Sequence, residues 1–186
     1  MSERIKMQFW NSPFFWAFLA MIGWFLGLLV VGSRTLGNSS LFGAFVVALV
    51  EIPRIILPLP FINQSRFGDG TILPIIGWVI LIVALVFGTP AFLIEPFTRP
   101  RQEEALRTTG LYSVVRHPIM LCDSFWPLGW SLVLRSSIGT ILVVVWFMAA
   151  YLLTFLEEEK LIEEYGEKYL KYGESVPRII PFLKFL

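Results

Sequence analysis

Apolar residues fall in long uninterrupted runs separated by short polar breaks. A helix that crosses a bilayer needs about 20 mostly apolar residues, and five runs come near that length. The first, Pro13 to Gly32, contains no charge. It is too long for a signal-peptide core and no convincing small-residue cleavage site follows it, so it is read as an uncleaved first helix. A turn-like stretch from Ser33 to Ser40 follows. The second run, Leu41 to Ile62, holds Glu51, Pro53 and Arg54 and then Pro58 and Pro60, which predict a kinked or frayed end. Asn63 to Gly70 is a polar loop. The third run spans Ile72 to Ile94, with Gly88 and Pro90 as kink points. A charged connector covers Glu95 to His117. The fourth run, Pro118 to Leu134, is short and rich in aromatics. Arg135-Ser-Ser makes a tight turn, and Ile138 to Leu156 is the fifth run. The remainder, from Glu157 to Leu186, is charged and then ends in an apolar tail.

The predicted fold is an all-α integral membrane protein with about five transmembrane helices. Composition agrees: 56% of the 186 residues are hydrophobic and 16% charged, against roughly 25% charged in soluble domains. The mean hydropathy is +0.71. A formal net charge of +1 gives no reason to expect a nucleic-acid partner. The single Cys122 excludes an intramolecular disulfide framework, and with one histidine no metal site is expected.

Lys and Arg asymmetry sets the expected orientation. With five spans, one side holds Arg34, Arg99, Arg101, Arg107, Arg116, Lys160, Lys168, Lys171, Arg178 and Lys184. The other holds Arg4, Lys6, Arg66 and Arg135. The connector and the C-terminal segment are therefore expected in the cytoplasm.

Two polar segments flank the last helical hairpin. One is Gly110-Leu-Tyr-Ser-Val-Val-Arg-His-Pro118; the other begins Glu157-Glu158-Glu159. A hairpin brings its outer ends together, so Arg116 and His117 should approach Glu157 and Glu158. Such a cluster can be a set of membrane-end anchors, whose surface ion pairs are worth little. Wound as a helix at 100° per residue from Glu157 to Tyr172, the C-terminal segment puts Leu161, Ile162, Tyr165, Tyr169 and Tyr172 on one stripe. Glu158 falls near the middle of that stripe. An inward carboxylate is costly unless paired or used, so Glu158 either pairs with Arg116 or meets a polar ligand inside the hairpin. Glu51 and Arg54 pose a similar choice: intramembrane charges are functional by default, here as a channel lining, yet a pair three residues apart can neutralise itself.

The stretch from Ala105 to Pro118, Glu157-Glu-Glu-Lys-Leu, Tyr165-Gly-Glu-Lys-Tyr-Leu-Lys-Tyr and Val176-Pro-Arg-Ile-Ile-Pro together resemble the isoprenylcysteine carboxyl methyltransferases. They also resemble the related phospholipid and thiol methyltransferases of membranes. The shared pattern is Arg-His-Pro, a hairpin-length spacer and a Glu-Glu pair, within residues 100 to 182. The resemblance implies S-adenosyl-L-methionine as cofactor, in a cytoplasm-facing pocket closed by a C-terminal amphipathic helix, and a lipophilic substrate entering from the bilayer. It divides the chain into an N-terminal three-helix region, 1–96, and a catalytic region, 97–186. The implied cofactor-binding residues are Gly110, Leu111, Tyr112, Val115, Arg116, His117, Pro118, Glu157 and Glu158, with Arg116, His117 and Glu158 catalytic.

The residue chemistry is compatible. Arg116 and His117 suit the cofactor's carboxylate, Glu157 or Glu158 suits the ribose diol, and a sulfonium favours aromatic faces such as Tyr112, Phe125, Trp126 or Trp130. The acceptor could be a thiol, a carboxylate or an amine. Two positions depart from the pattern: Leu153 and its neighbours, Tyr151 to Leu156, lack the Arg that the isoprenylcysteine enzymes carry before the Glu-Glu pair, and Met120 replaces a Tyr. The expected location is the cell membrane of a prokaryote or the endoplasmic reticulum of a eukaryote. Competing expectations are a membrane reductase of the sterol-reductase type, binding NADPH, and a non-enzymatic scaffold. The Glu-Glu pair favours the methyltransferase.

Overall fold

The computed structural model describes residues 9–32, 40–89 and 106–183. Residues 95–105 of the expected connector and 33–39 of the expected turn lie outside those residues. The described chain forms six α-helices and no strands: α1 (Pro13–Gly32), α2 (Ser40–Ile56), α3 (Ile72–Thr89), α4 (Pro118–Val133), α5 (Ser137–Tyr165) and α6 (Glu167–Ser175). A short 3-10 turn, Gly110–Ser113, precedes α4.

The apolar runs become helices because a chain without polar side chains satisfies its backbone internally in this way. By length and composition one helix, α5, suffices to cross a membrane; the apolar stretches Pro13–Gly27 and Ile72–Gly88 are shorter. Phe14, Phe18, Met21 and Phe25 on α1, and Ile75, Val79, Ile82 and Val86 on α3, point outward and stay exposed. Rows of large apolar side chains with nothing over them fit a lipid solvent. Pro53 lies inside α2, which ends three residues later in a series of turns.

The helices meet through small residues. α3 packs most extensively on α4, and Gly77 and Gly129 let their backbones touch. A Cβ on Gly129 would stand 2.6 Å from the backbone nitrogen of Leu81, and one on Gly77 2.6 Å from that of Val133. Trp146 of α5 is buried against Ala20 of α1 and Val143.

One end of the bundle is tied by polar groups. The Asn63 amide donates to the Asn11 carbonyl at 2.8 Å, and that of Phe67 to Arg135 at 2.9 Å. Arg66 donates to the carbonyls of Pro58, Leu59 and Leu134. The segment before α1, the 63–70 loop and the 134–137 turn thus gather at this end.

At the other end the structure departs from the sequence expectation. Glu157 to Tyr172 is not one helix. Glu157 through Tyr165 extend α5, and Gly166, at φ +54°, ends it before α6 begins. That backbone region is open to glycine at little cost and disfavours residues with a Cβ.

Candidate active site

Local structure aims the first set of side chains. The 3-10 turn opens on Gly110 at φ +65° and is closed by the Ser113 hydroxyl donating to the Gly110 carbonyl at 2.7 Å. Pro118 starts α4, where its missing N–H costs nothing. His117 is the N-cap but makes no side-chain cap bond, so its imidazole is left for other partners.

The second set comes from α5, which carries Glu157 and Glu158 past its apolar stretch. The third is the C-terminal strap after α6. Its backbone accepts from the hairpin entry: Arg116 N–H donates to the Pro177 carbonyl at 2.8 Å and His117 N–H to that of Arg178 at 3.0 Å. Arg178 is thereby brought to the two glutamates.

Glu158 is the centre of the cluster and is 5% exposed. Its Oε1 lies 2.9 Å from Arg116 Nη1 and 3.0 Å from His117 Nε2. Arg178 donates from Nε to Oε1 at 3.1 Å and from Nη2 to Oε2 at 2.8 Å. The Arg178 guanidinium stacks on Phe155, 3.8 Å from the ring centre. Glu157 Oε2 is 3.3 Å from His117 Nδ1, and its side chain is about half exposed. Three basic groups therefore face two carboxylates.

Burial opposes ionisation of Glu158. Hydrogen bonds from His117 and Arg178 and the charges of Arg116 and Arg178 outweigh it, holding the carboxyl at about 2. Burial likewise works against the His117 imidazolium, but Glu157 and Glu158 prevail and hold its pKa above the ordinary 6.5. Burial pushes the Tyr172 hydroxyl up to about 12. It stays neutral and donates to the Tyr112 carbonyl at 2.6 Å.

Beside the cluster opens a cavity of about 330 Å³, within the range of roughly 300–1,000 Å³ usual for small-molecule sites. Of the residues singled out in the sequence, Tyr112, Arg116, His117, Pro118 and Glu157 line it. Gly110, Leu111, Val115 and Glu158 do not, and Glu158 sits behind the wall, holding Arg116 and His117. Arg107, Tyr165, Tyr169 and Tyr172 add further polar and aromatic lining, beside apolar residues such as Leu106 and Leu161.

A larger apolar cavity of about 500 Å³ adjoins it. Ile119 and Met120 line both. Trp24, Val50, Glu51, Cys122, Asp123, Trp126 and Leu153 belong to the larger one. Of the other aromatics considered, Phe125 faces outward and Trp130 donates to the Ile55 carbonyl, and neither lines either of these two cavities.

Sequence reasoning gave Arg178 no role. Its available signal was Glu158 itself, an inward carboxylate needing a strong partner, with one basic residue in the apolar tail motif. Asp123 was also missed, although a charge within an apolar run is such a signal.

The phospholipid methyltransferase family model matches residues 67–168. The chain is 28% identical over 146 residues to protein-S-isoprenylcysteine O-methyltransferase B of Arabidopsis thaliana, covering 75% of this chain and 73% of that protein. It is 25% identical over 175 residues to the protein-S-isoprenylcysteine O-methyltransferase of Schizosaccharomyces pombe, covering 93% and 69%. Against the methanethiol S-methyltransferase of Pseudomonas deceptionensis it is 30% identical over 140 residues, covering 65% and 49%. The chain belongs to the phospholipid methyltransferase family, within the superfamily that includes the isoprenylcysteine enzymes, and it is a methyltransferase.

Proposed function

We propose that the protein transfers a methyl group from S-adenosyl-L-methionine to a lipophilic or membrane-soluble acceptor, with the donor in the 330 Å³ cavity and the acceptor in the apolar one. The observation that carries this reading is the pairing of the cavities. One is walled by cations, a carboxylate and tyrosines, the other mainly by apolar groups with Glu51 and Asp123 among them, and they share Ile119 and Met120.

The residues present fit the donor. Arg116 and His117 offer charged donors for its carboxylate, and Arg116 Nε is buried with no protein partner. Glu157 faces the cavity with its carboxylate half exposed and suits a ribose diol. Tyr112, Tyr165, Tyr169 and Tyr172 supply aromatic faces for the sulfonium. When bound, the donor supplies an electrophilic methyl group. Glu158 positions Arg116 and His117 and, with Glu157, favours the imidazolium of His117. The walls hold the reactants in line and exclude water, the main sources of acceleration for such a displacement.

On this reading the five apolar runs cross the bilayer. The gathering of the 63–70 loop and the 134–137 turn at one end, opposite the Arg116–Glu158 cluster, supports that alternation. The donor site faces the cytoplasm by the Lys and Arg asymmetry. Residues 97–186 carry the donor site, and 1–96 supply much of the acceptor cavity.

Calorimetry on detergent-purified protein tests the donor. S-adenosylhomocysteine is expected to bind and NADPH not to bind. Binding of NADPH alone would overturn the proposal in favour of a reductase.

A further inference from the structure

The apolar cavity contains a charged group that the donor site does not use. Arg54 of α2 is 0% exposed. Its Nη1 lies 2.8 Å from Glu51 Oε1 and 3.0 Å from Asp123 Oδ1 on α4, and Nη2 donates to the Asp123 carbonyl. Trp24, Trp126 and Trp146 surround the guanidinium at 5.9, 5.3 and 5.4 Å. The two carboxylates remain partly open, Glu51 at 31% and Asp123 at 24%, and both line the cavity; Arg54 does not.

Two carboxylates against one cation leave the wall with proton acceptors and no cation to spare. Among the described residues no basic side chain lines this cavity, and both terminal nitrogens of Arg54 are already engaged by Glu51 and Asp123. Leu153, from α5, adds only apolar surface. An anionic acceptor would be desolvated there with no cation to pair with. A head group that bears a proton and no negative charge would find an acceptor for that proton. Asp123 lies six residues beyond His117 along α4, about 9 Å at the helical rise, so the carboxylates stand one layer deeper than the donor site.

We propose that this cavity selects a lipophile with a proton-bearing, non-anionic nucleophile, a thiol or an amine, and that Glu51 receives its proton. This rests on the assignment of the apolar cavity to the acceptor. The lone pair of the acceptor sulfur or nitrogen forms the bond to the methyl carbon. The electron pair of the breaking carbon–sulfur bond returns to the donor sulfur. The acceptor's proton passes to the Glu51 carboxylate, which lines the cavity and stays partly open beside its pair with Arg54.

Three ten-carbon acceptors, 1-decanethiol, decylamine and decanoic acid, test it with purified protein and S-adenosyl-L-methionine. Wild type should methylate the thiol or the amine with a kcat/KM at least tenfold above that for the acid. Glu51→Gln should lower kcat by about 10²-fold, the low end for loss of a proton acceptor, while S-adenosylhomocysteine binds as in wild type. Glu51→Asp, which keeps a carboxylate, should recover part of the rate and guards against a folding defect in the glutamine variant. Preference for decanoic acid, or an unchanged kcat in Glu51→Gln, would overturn the inference. Failure of the donor reading looks different: wild type would not bind S-adenosylhomocysteine. The head-group preference would then be read without donor, from the tryptophan fluorescence response to the three ligands, because Trp24 and Trp126 line the cavity.

Discussion

Replacing Glu158 by glutamine removes one negative charge and keeps the shape of the side chain. In the folded protein that charge faces Arg116 at 2.9 Å, His117 at 3.0 Å and Arg178 at 2.8 Å. Holding the carboxyl at about 2, from an ordinary 4.5, corresponds to about 3 kcal/mol of stabilisation at neutral pH, at 1.36 kcal/mol per pH unit. The sign follows from the depressed value: this stabilisation is present above pH 4.5 and is lost as pH falls towards 2. Glutamine accepts from one arginine at most and leaves the others facing an amide. The variant should therefore lose up to about 3 kcal/mol, part of it as misplacement of Arg116 and His117. Two measurements follow on detergent-purified protein. The thermal midpoint should drop in Glu158→Gln at pH 7, and the wild-type advantage should shrink progressively below pH 4.5. Calorimetry should show S-adenosylhomocysteine binding weakened, by at most about 10²-fold if all of that free energy were lost at the site. A variant with wild-type midpoint and affinity would refute the assignment of Glu158 as the anchor of the cluster.

His117 should make donor binding sensitive to pH. Its pKa is raised by Glu157 and Glu158, so the imidazolium and its contribution are fully present below 6.5 and are lost as pH rises through the raised value. S-adenosylhomocysteine affinity should fall over that interval in wild type and not in His117→Asn; a pH-independent wild type would exclude the role. Gly129→Leu should be among the most damaging changes in the bundle, because even its Cβ would stand 2.6 Å from Leu81 N. The α3–α4 pair must separate, and the thermal midpoint should fall further than in Gly68→Leu, whose Cβ meets nothing within 4 Å. Equal midpoints for the two variants would show that the close approach contributes nothing.

The sequence by itself determined what depends on chain-local pattern. Uninterrupted apolar runs leave helix as the economical way to satisfy their backbones, so α1 occupies the very residues expected, Pro13–Gly32, and α4 ends one residue short of the expected Leu134. Two helices joined by a three-residue turn must return their ends to one place, which made the approach of Arg116 and His117 to Glu157 and Glu158 legible. The helical stripe also marked Glu158, Tyr165, Tyr169 and Tyr172. Where the tail turns back depended on one glycine at φ +54°, and a helical wheel carries no information about backbone sign. Only tertiary structure decided the rest. It brought Arg178 twenty residues round to Glu158, moved Glu158 behind the cavity wall while leaving Glu157 at its face, and closed Asp123 of α4 onto Arg54 of α2. Those are contacts between elements distant in sequence. The close approach of α3 and α4 at Gly77 and Gly129 is of the same kind, and no periodicity within a single helix encodes any of them.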